Sequence, residues 1–279
     1  SIAGALENAA LRAAELEANT FQIFSASPRS WSFSSVDREQ ARRLRETRER
    51  LDLRPLVVHD NYLINLAAAN PLIRRKSVAA FRAEIDRALA IGAEYLNLHP
   101  GSYKDQTREQ GIEVLAASMA EAVGRRKLQG LRILIENTAG SGAALGSTFE
   151  ELREIRKRLG EVAGSDAGFC LDTAHCLASG YDVATGEGLA RTMREISRIL
   201  GVSRVCAIHA NDSKGALGSH VDRHEHIGKG HIGGAGFRRI LNHPKLRSKP
   251  FILETPIDRE GDDRRNLAAL KRLSGRRMP

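Results

Sequence analysis

Six apolar runs in this chain stop at a residue that can ligate metal. VVHD reaches His59, YLNLHPG reaches His99, ILIENT reaches Glu136, FCLDTAH reaches Asp172 and His175, VCAIHAND reaches His209, and FILET reaches Glu254. A short run that is apolar on both faces fits a central strand of a parallel sheet, covered from either side. In a (β/α)8 barrel the reacting groups stand at the carboxyl ends of such strands. Packing alone gives no reason for imidazoles and carboxylates to recur there six times. The pattern points to a metalloenzyme.

Between these runs lie longer segments with apolar residues at the helical period of 3.6, which gives the βαβα order of a parallel sheet. Strands are predicted at 21–24, 55–59, 95–99, 132–136, 168–172, 204–209 and 250–254. Helices are predicted at 3–18, 36–51, 71–91, 107–128, 148–160, 186–200, 235–242 and 262–274. The fold class is therefore α/β, a (β/α)8 TIM barrel. Its 279 residues suit one barrel domain over 1–279, since such barrels take roughly 250 residues. Eight helices accompany only seven strands, and the first helix begins almost at residue 1, so the barrel is expected to lack its first strand in the sequence given. Two connections are long, 137–147 and 210–234. Both leave the carboxyl ends of strands, the side on which barrel chemistry takes place.

Composition narrows the setting. No apolar stretch approaches the roughly 20 residues that span a bilayer, so no membrane partner is expected. Three cysteines without a CxxC pair read as buried thiols in a reducing compartment. The net charge of +9 suits a polyanionic partner. Much of the arginine, however, sits in segments such as ARRLRETRER at 41–50, whose alternating signs equally fit a solvated helix face.

Imidazole nitrogen and carboxylate oxygen bind zinc at roughly 2.0–2.2 Å, and the same donors suit manganese or iron. Asp172 and His175 stand three positions apart where strand gives way to loop or helix. Asp222 and His224 flank one residue, which in an extended segment puts them on one face. Taken singly, each pair equally reads as a capping aspartate or a surface histidine. Taken with the strand ends they make nine candidates on one rim.

The segments HDNYLINLA at 59–67, LHPGS, IENTAGSGAALG, LDTAHCLASGYD, HANDSKGALGSHVDRHEHIGKGHIG and ILETP resemble, in order and spacing, the endonuclease IV family of apurinic/apyrimidinic endonucleases. The likeness runs from about residue 1 to about 273. It implies a (β/α)8 barrel with three zinc ions, Mn2+ being admitted at one site. His59 and His99 would hold one ion, with Glu136 bridging to a second completed by Asp172, His209 and Glu254. His175, Asp222 and His224 would hold the third. Glu136 would also be the catalytic carboxylate, orienting a bridging water. The resemblance implies cleavage 5′ to an abasic site in double-stranded DNA, leaving a 3′-hydroxyl and a 5′-deoxyribose phosphate, and removal of 3′-blocking groups. Tyr62 and Leu63 resemble the family's wedge at the lesion and Arg29 the side chain that fills the gap. For Tyr62 and Leu63 the alternative is core packing. Lys214 and Arg223 are phosphate contacts or, alternatively, members of exposed ion pairs. A monomer in the bacterial cytosol, associated with the nucleoid, is the expected state.

The chain departs from the family pattern at SAS (25–27), where relatives carry a Lys-Asn-like pair, and at Glu225 and His231 within 224–233. His220, His226, His231 and His243 have no assigned partner. A sugar isomerase or epimerase on the same barrel is the alternative function, because Glu136, Asp172, His209 and Glu254 alone match its single-metal quartet. The other five ligands decide between the two.

Overall fold

The computed structural model describes residues 5–28, 30–31, 35–164 and 166–275, without the side chain of Ala163. Arg29 lies outside the described residues. The chain divides into two compact units, Ser1–Ile135 with Glu154–Gly168, and Glu136–Arg153 with Phe169–Pro279.

The first unit alternates α1 (Glu7–Glu15), β1 (Phe21–Phe24), α2 (Arg38–Arg50), β2 (Leu56–His59), α3 (Pro71–Ala90), β3 (Tyr95–Leu98), α4 (Arg108–Val123) and β4 (Arg132–Glu136). The last residue of β4 opens the second unit. Strands form where the apolar runs lie because both of their faces are covered. Leu56, Val57 and Val58 are wholly buried, as are Ile133, Leu134 and Ile135 to within 1%. Pairing is parallel in the order β1, β2, β3, β4. The register sets Phe24 level with His59 and His59 level with Asn97. The helices begin at side chains that satisfy their free N–H groups. Asp37 accepts from the amides of Glu39 and Gln40 at 3.0 and 2.9 Å. Asn70 caps α3 ahead of Pro71, and Thr107 with Gln110 forms a reciprocal capping box on α4.

α5 (Phe149–Ala163) is shared between the units. The second unit continues with β5 (Gly168–Asp172), α6 (Thr173–Ala178), α7 (Gly186–Glu195), β6 (Val205–His209), β7 (Asp212–Ser213), β8 (His224–Glu225), α8 (Gly233–Asn242), β9 (Phe251–Ile252) and α9 (Asp262–Ser274). β5, β6 and β9 pair in parallel, with Asp172 level with His209 and His209 level with Ile252. Three features differ from the sequence expectation. A six-residue helix, α6, follows β5 without a loop because Asp172 itself caps it, accepting the His175 amide at 2.8 Å. The long connection 210–234 is not irregular throughout, since β7 and β8 form a short antiparallel pair, Asp212 opposite Glu225 and Ser213 opposite His224. The helix expected over 186–200 is also divided, its last turn, Ile196–Leu200, being a π-helix.

Leu96 in β3 is wholly buried. Leu96→Ala is expected to lower the unfolding free energy by about 2–5 kcal/mol, through lost transfer energy and the cavity left behind. Urea unfolding followed by circular dichroism measures it, and a loss under half a kilocalorie would mean the site is not close-packed.

Candidate metal centre

In the second unit, seven of the nine candidate ligands come together. Because Asp172 and His209 end neighbouring parallel strands in register, their side chains share a face. His209 Nδ1 lies 3.0 Å from Glu136 Oε1 and 3.0 Å from Glu254 Oε2. Glu136, Asp172, His209 and Glu254 each offer a ligand atom within 4.8 Å of the other three. Asp172, His175 and His224 form a second such group. Asp222 Oδ1 joins it, 3.2 Å from His175 Nε2 and 3.7 Å from His224 Nε2. Four donors at roughly 2.1 Å from one ion stand about 3.4 Å apart. The spacings fit donors around cations, and Asp172 is common to both groups.

The rings are oriented for ligation. His175 Nδ1 sits 2.9 Å from the Asn137 carbonyl oxygen and His224 Nδ1 3.1 Å from that of Glu254. A carbonyl only accepts, so each Nδ1 carries a hydrogen and Nε2 is the atom turned to the carboxylates. His224 Nε2 is buried and makes no hydrogen bond, although Asp172 Oδ2 is 3.6 Å away. That is the distance at which two ligands share an ion. His209 is turned the other way, with Nδ1 on the carboxylates and a hydrogen bond to the Cys170 thiol. Cys170 is itself near Glu136 and His209, but burial pushes its thiol up to about 12. With no cation beside it the thiol stays protonated against the His209 ring.

Electrostatics say the same. Burial disfavours charge on His175, yet Asp172, Asp222 and Glu136 outweigh it and lift the pKa well above 6.5. Burial likewise opposes charge on His209, yet its pKa is raised well above the same value, the Glu136 and Glu254 carboxylates favouring the charged ring. So many buried carboxylates demand positive charge, supplied by protons on imidazole or by cations in their place.

In the first unit, His59 ends β2 and His99 follows β3, with ring centroids 5.3 Å apart. His59 Nδ1 is 2.9 Å from the Asp60 carbonyl oxygen, which leaves Nε2 as the ligand atom. Tyr62 is 60% exposed, its ring tilted against Phe24 at 5.0 Å. It is not a core residue, and Leu63 is half-buried beside it. The Tyr62 amide donates to the Pro28 carbonyl, and Asn61 Nδ2 donates to the carbonyls of Ser27 and Ser30 at 3.1 and 2.6 Å. These bonds fasten the Tyr62 turn to Ser27, Pro28 and Ser30. In the second unit Lys214 and Arg223 are exposed, with Lys214 Nζ 4.0 Å from Glu225, a surface pair of little energetic weight.

Sequence reasoning missed the residues that hold these ligands. Asn137 accepts the Asp172 amide at 2.7 Å and donates to the Asp172 carbonyl at 3.2 Å. Asn211 donates to the Asp172 carboxylate and accepts the Glu254 amide at 2.8 Å. Asp212, wholly buried, accepts from the amides of Ser213, Gly228, Gly230, Ile232 and Gly233. It thereby fixes the loop behind His224 and stands in for the cap that Ile232 cannot give α8. The available signal was a polar residue within three positions after a candidate ligand, as Asn137 in IENT and Asn211 and Asp212 in HAND.

A family model for xylose isomerase-like TIM barrels matches residues 10–273, so this is a TIM barrel. The chain is 55% identical over 276 residues to the "Probable endonuclease 4" of Solibacter usitatus, covering 99% of this chain and 95% of that one. It is 36% identical to endonuclease IV from Thermus thermophilus, whose crystal structure it matches with a TM-score of 0.83, covering 96% of this chain and 93% of that chain. A D-tagatose 3-epimerase-like protein shares the fold at a TM-score of 0.71 but only 22% identity, over 97% of this chain and 93% of that chain. The chain belongs to the endonuclease IV family. Among the described residues no helix is long and apolar enough to cross a membrane.

Two outcomes follow from this geometry. Asn137→Ala is expected to weaken metal retention by about 10–100-fold, measured by competition with a chromophoric chelator, with the far-ultraviolet dichroism unchanged. In chelated protein, His175 and His209 hold protons in the fold that the unfolded chain releases near its ordinary value of 6.5. Their stabilisation is complete below about pH 6.5 and is lost as pH rises through the elevated folded values. The chelated protein should therefore melt at a lower temperature at about pH 9 than at about pH 6, and added zinc should narrow or reverse the difference. Equal melting temperatures for the chelated protein would mean that these imidazoles do not neutralise the carboxylates.

Proposed function

We propose that the protein is a metal-dependent endonuclease that hydrolyses the DNA phosphodiester bond 5′ to an abasic site. The products are a 3′-hydroxyl and a 5′-deoxyribose phosphate, and 3′-blocking groups are removed by the same centre. The observation that carries the reading is the second ligand group, His175 and His224 with Asp222 beside Asp172. A single-metal isomerase is served by Glu136, Asp172, His209 and Glu254 and has no use for it. Identity of 55% to a protein named for endonuclease activity, against 22% to an epimerase-like one, supports the same choice.

The donor set fits three zinc ions, with Mn2+ admitted at one. His59 and His99 would hold one, and Glu136 would serve the second. Asp172, His209 and Glu254 would complete the second, and His175, Asp222 and His224 the third. When bound, such ions make hydroxide available near neutral pH and offset charge on the phosphoryl and leaving oxygens. Glu136, wholly buried, orients the attacking water and helps take its proton. Asn137, Asn211 and the backbone carbonyls on the histidines keep the ligands from turning away. Tyr62 and Leu63 press into the duplex at the lesion, and Arg29 fills the space left in the stack. Apolar or planar side chains offset lost base stacking in this way, while Lys214 and Arg223 meet backbone phosphate. The substrate is double-stranded DNA with an abasic site or a blocked 3′ end. The enzyme acts as a monomer, a single barrel domain, in the cytosol with the nucleoid.

A nicking assay on duplex DNA with one abasic site tests the reading, with undamaged duplex as control. Cleavage should vanish after prolonged chelation and return with zinc. Glu136→Gln should retain binding to the abasic duplex and lose cleavage by several orders of magnitude. Comparable cleavage by both proteins would remove Glu136 from the chemistry, and a single tightly bound metal per chain would favour the isomerase.

A further inference from the structure

His220 is not a ligand in this scheme, yet it sits where three ligand-bearing segments of the second unit meet. Its φ of +55° is one that side chains other than glycine rarely adopt. In that conformation its ring lies over Gly140, where an added Cβ would come within 2.9 Å of Nδ1. Gly140 itself has φ +78°, so the ring packs on a backbone that only glycine leaves bare. His220 Nδ1 is 3.0 Å from the Ala139 carbonyl oxygen and donates to it. The His220 carbonyl accepts from Ser141 Oγ at 2.6 Å. Its amide donates to the Ala178 carbonyl at 2.9 Å, and the Gly218 amide donates to that of Leu177 at 2.9 Å. Leu177 and Ala178 end α6, where helix carbonyls lack partners within the helix.

The three segments are the glycine-rich connection after Glu136 and Asn137, the end of the helix that carries His175, and the approach to Asp222 and His224. We propose that His220 is a positioning residue, a latch that holds Asp222 and His224 against His175 and so completes the ion site those three residues form. The inference rests on the metal-centre reading above. Asp222 is exposed and the 214–223 segment makes a surface turn. Backbone bonds of Gly218 and His220 to α6 and to Ser141 tie the middle of that turn to the unit. The ring bond and the packing on Gly140 then set where Asp222 stands.

The test compares His220→Gly with His220→Asn. Glycine adopts the positive φ freely and removes only the ring, whereas asparagine tolerates that φ and keeps an N–H donor. Zinc per chain is measured after dialysis against graded chelator. Amide exchange at 218–224 is measured separately on metal-free protein. In His220→Gly one zinc should leave at about tenfold lower chelator concentration or less, the others holding as in wild type, with faster exchange at 218–224. His220→Asn should stay close to wild type in both. Unchanged exchange in His220→Gly overturns the latch, and unchanged zinc retention overturns its role at the ion site. Failure of the wild type to hold a third ion overturns the metal-centre reading instead, and the exchange result still decides whether the latch exists.

Discussion

Glu136 and Asp172 are wholly buried in one cluster with Glu254 at its edge, and the structure of the second unit answers that concentration of negative charge. Like charges at this separation cannot all persist in a dry interior without compensation. The chain supplies two kinds. His175 and His209 take up protons against their own burial. Asn211 and the His175 amide donate to Asp172. The remaining need is for cations, and His224 Nε2 is held beside two carboxylates without a hydrogen bond. A cluster so arranged is poised to exchange protons for metal.

That demand explains the less regular parts of the unit. Asp172 ends a strand, caps a helix and lies in both ligand groups, which removes any loop between β5 and α6. The long connection 210–234 is disciplined by Asp212 at its base and by the β7–β8 pair. Gly230 is required there because a Cβ would come within 2.3 Å of the Ser213 carbonyl. The helices and strands supply a rigid frame, while the ligands on loops depend on buried polar bonds to reach comparable precision.

Much of this was legible in the chain. Each strand expected from an apolar run has a counterpart, because burial on both faces leaves an unambiguous mark. β9 is cut to Phe251–Ile252 although FILE reads as a longer strand, since pairing rather than propensity decides where a ladder stops. α6 was hidden because six residues carry too little periodicity to announce a helix. Asp172, ambiguous between capping and ligation as a letter, caps α6 and offers an oxygen to both candidate groups, and His175 is buried beside it rather than at the surface. For Tyr62 the alternative of core packing is removed, since it is exposed, because the turn at 61–63 carries it outward while Asn61 faces in.

The sequence by itself determined the kind of fold, the family and the identity of nine metal-ligand candidates, because apolar periodicity and strand-end donors are local patterns that survive being read one residue at a time. Tertiary structure decided which nitrogen His175, His209 and His224 turn to the carboxylates, that Asp172 is common to two candidate ligand groups, that Cys170 stands against His209, and that Asn137, Asn211 and Asp212 hold the segments around them. These are properties of distance and direction between residues tens of positions apart, and in a buried site they are set by hydrogen-bond partners that no local pattern encodes.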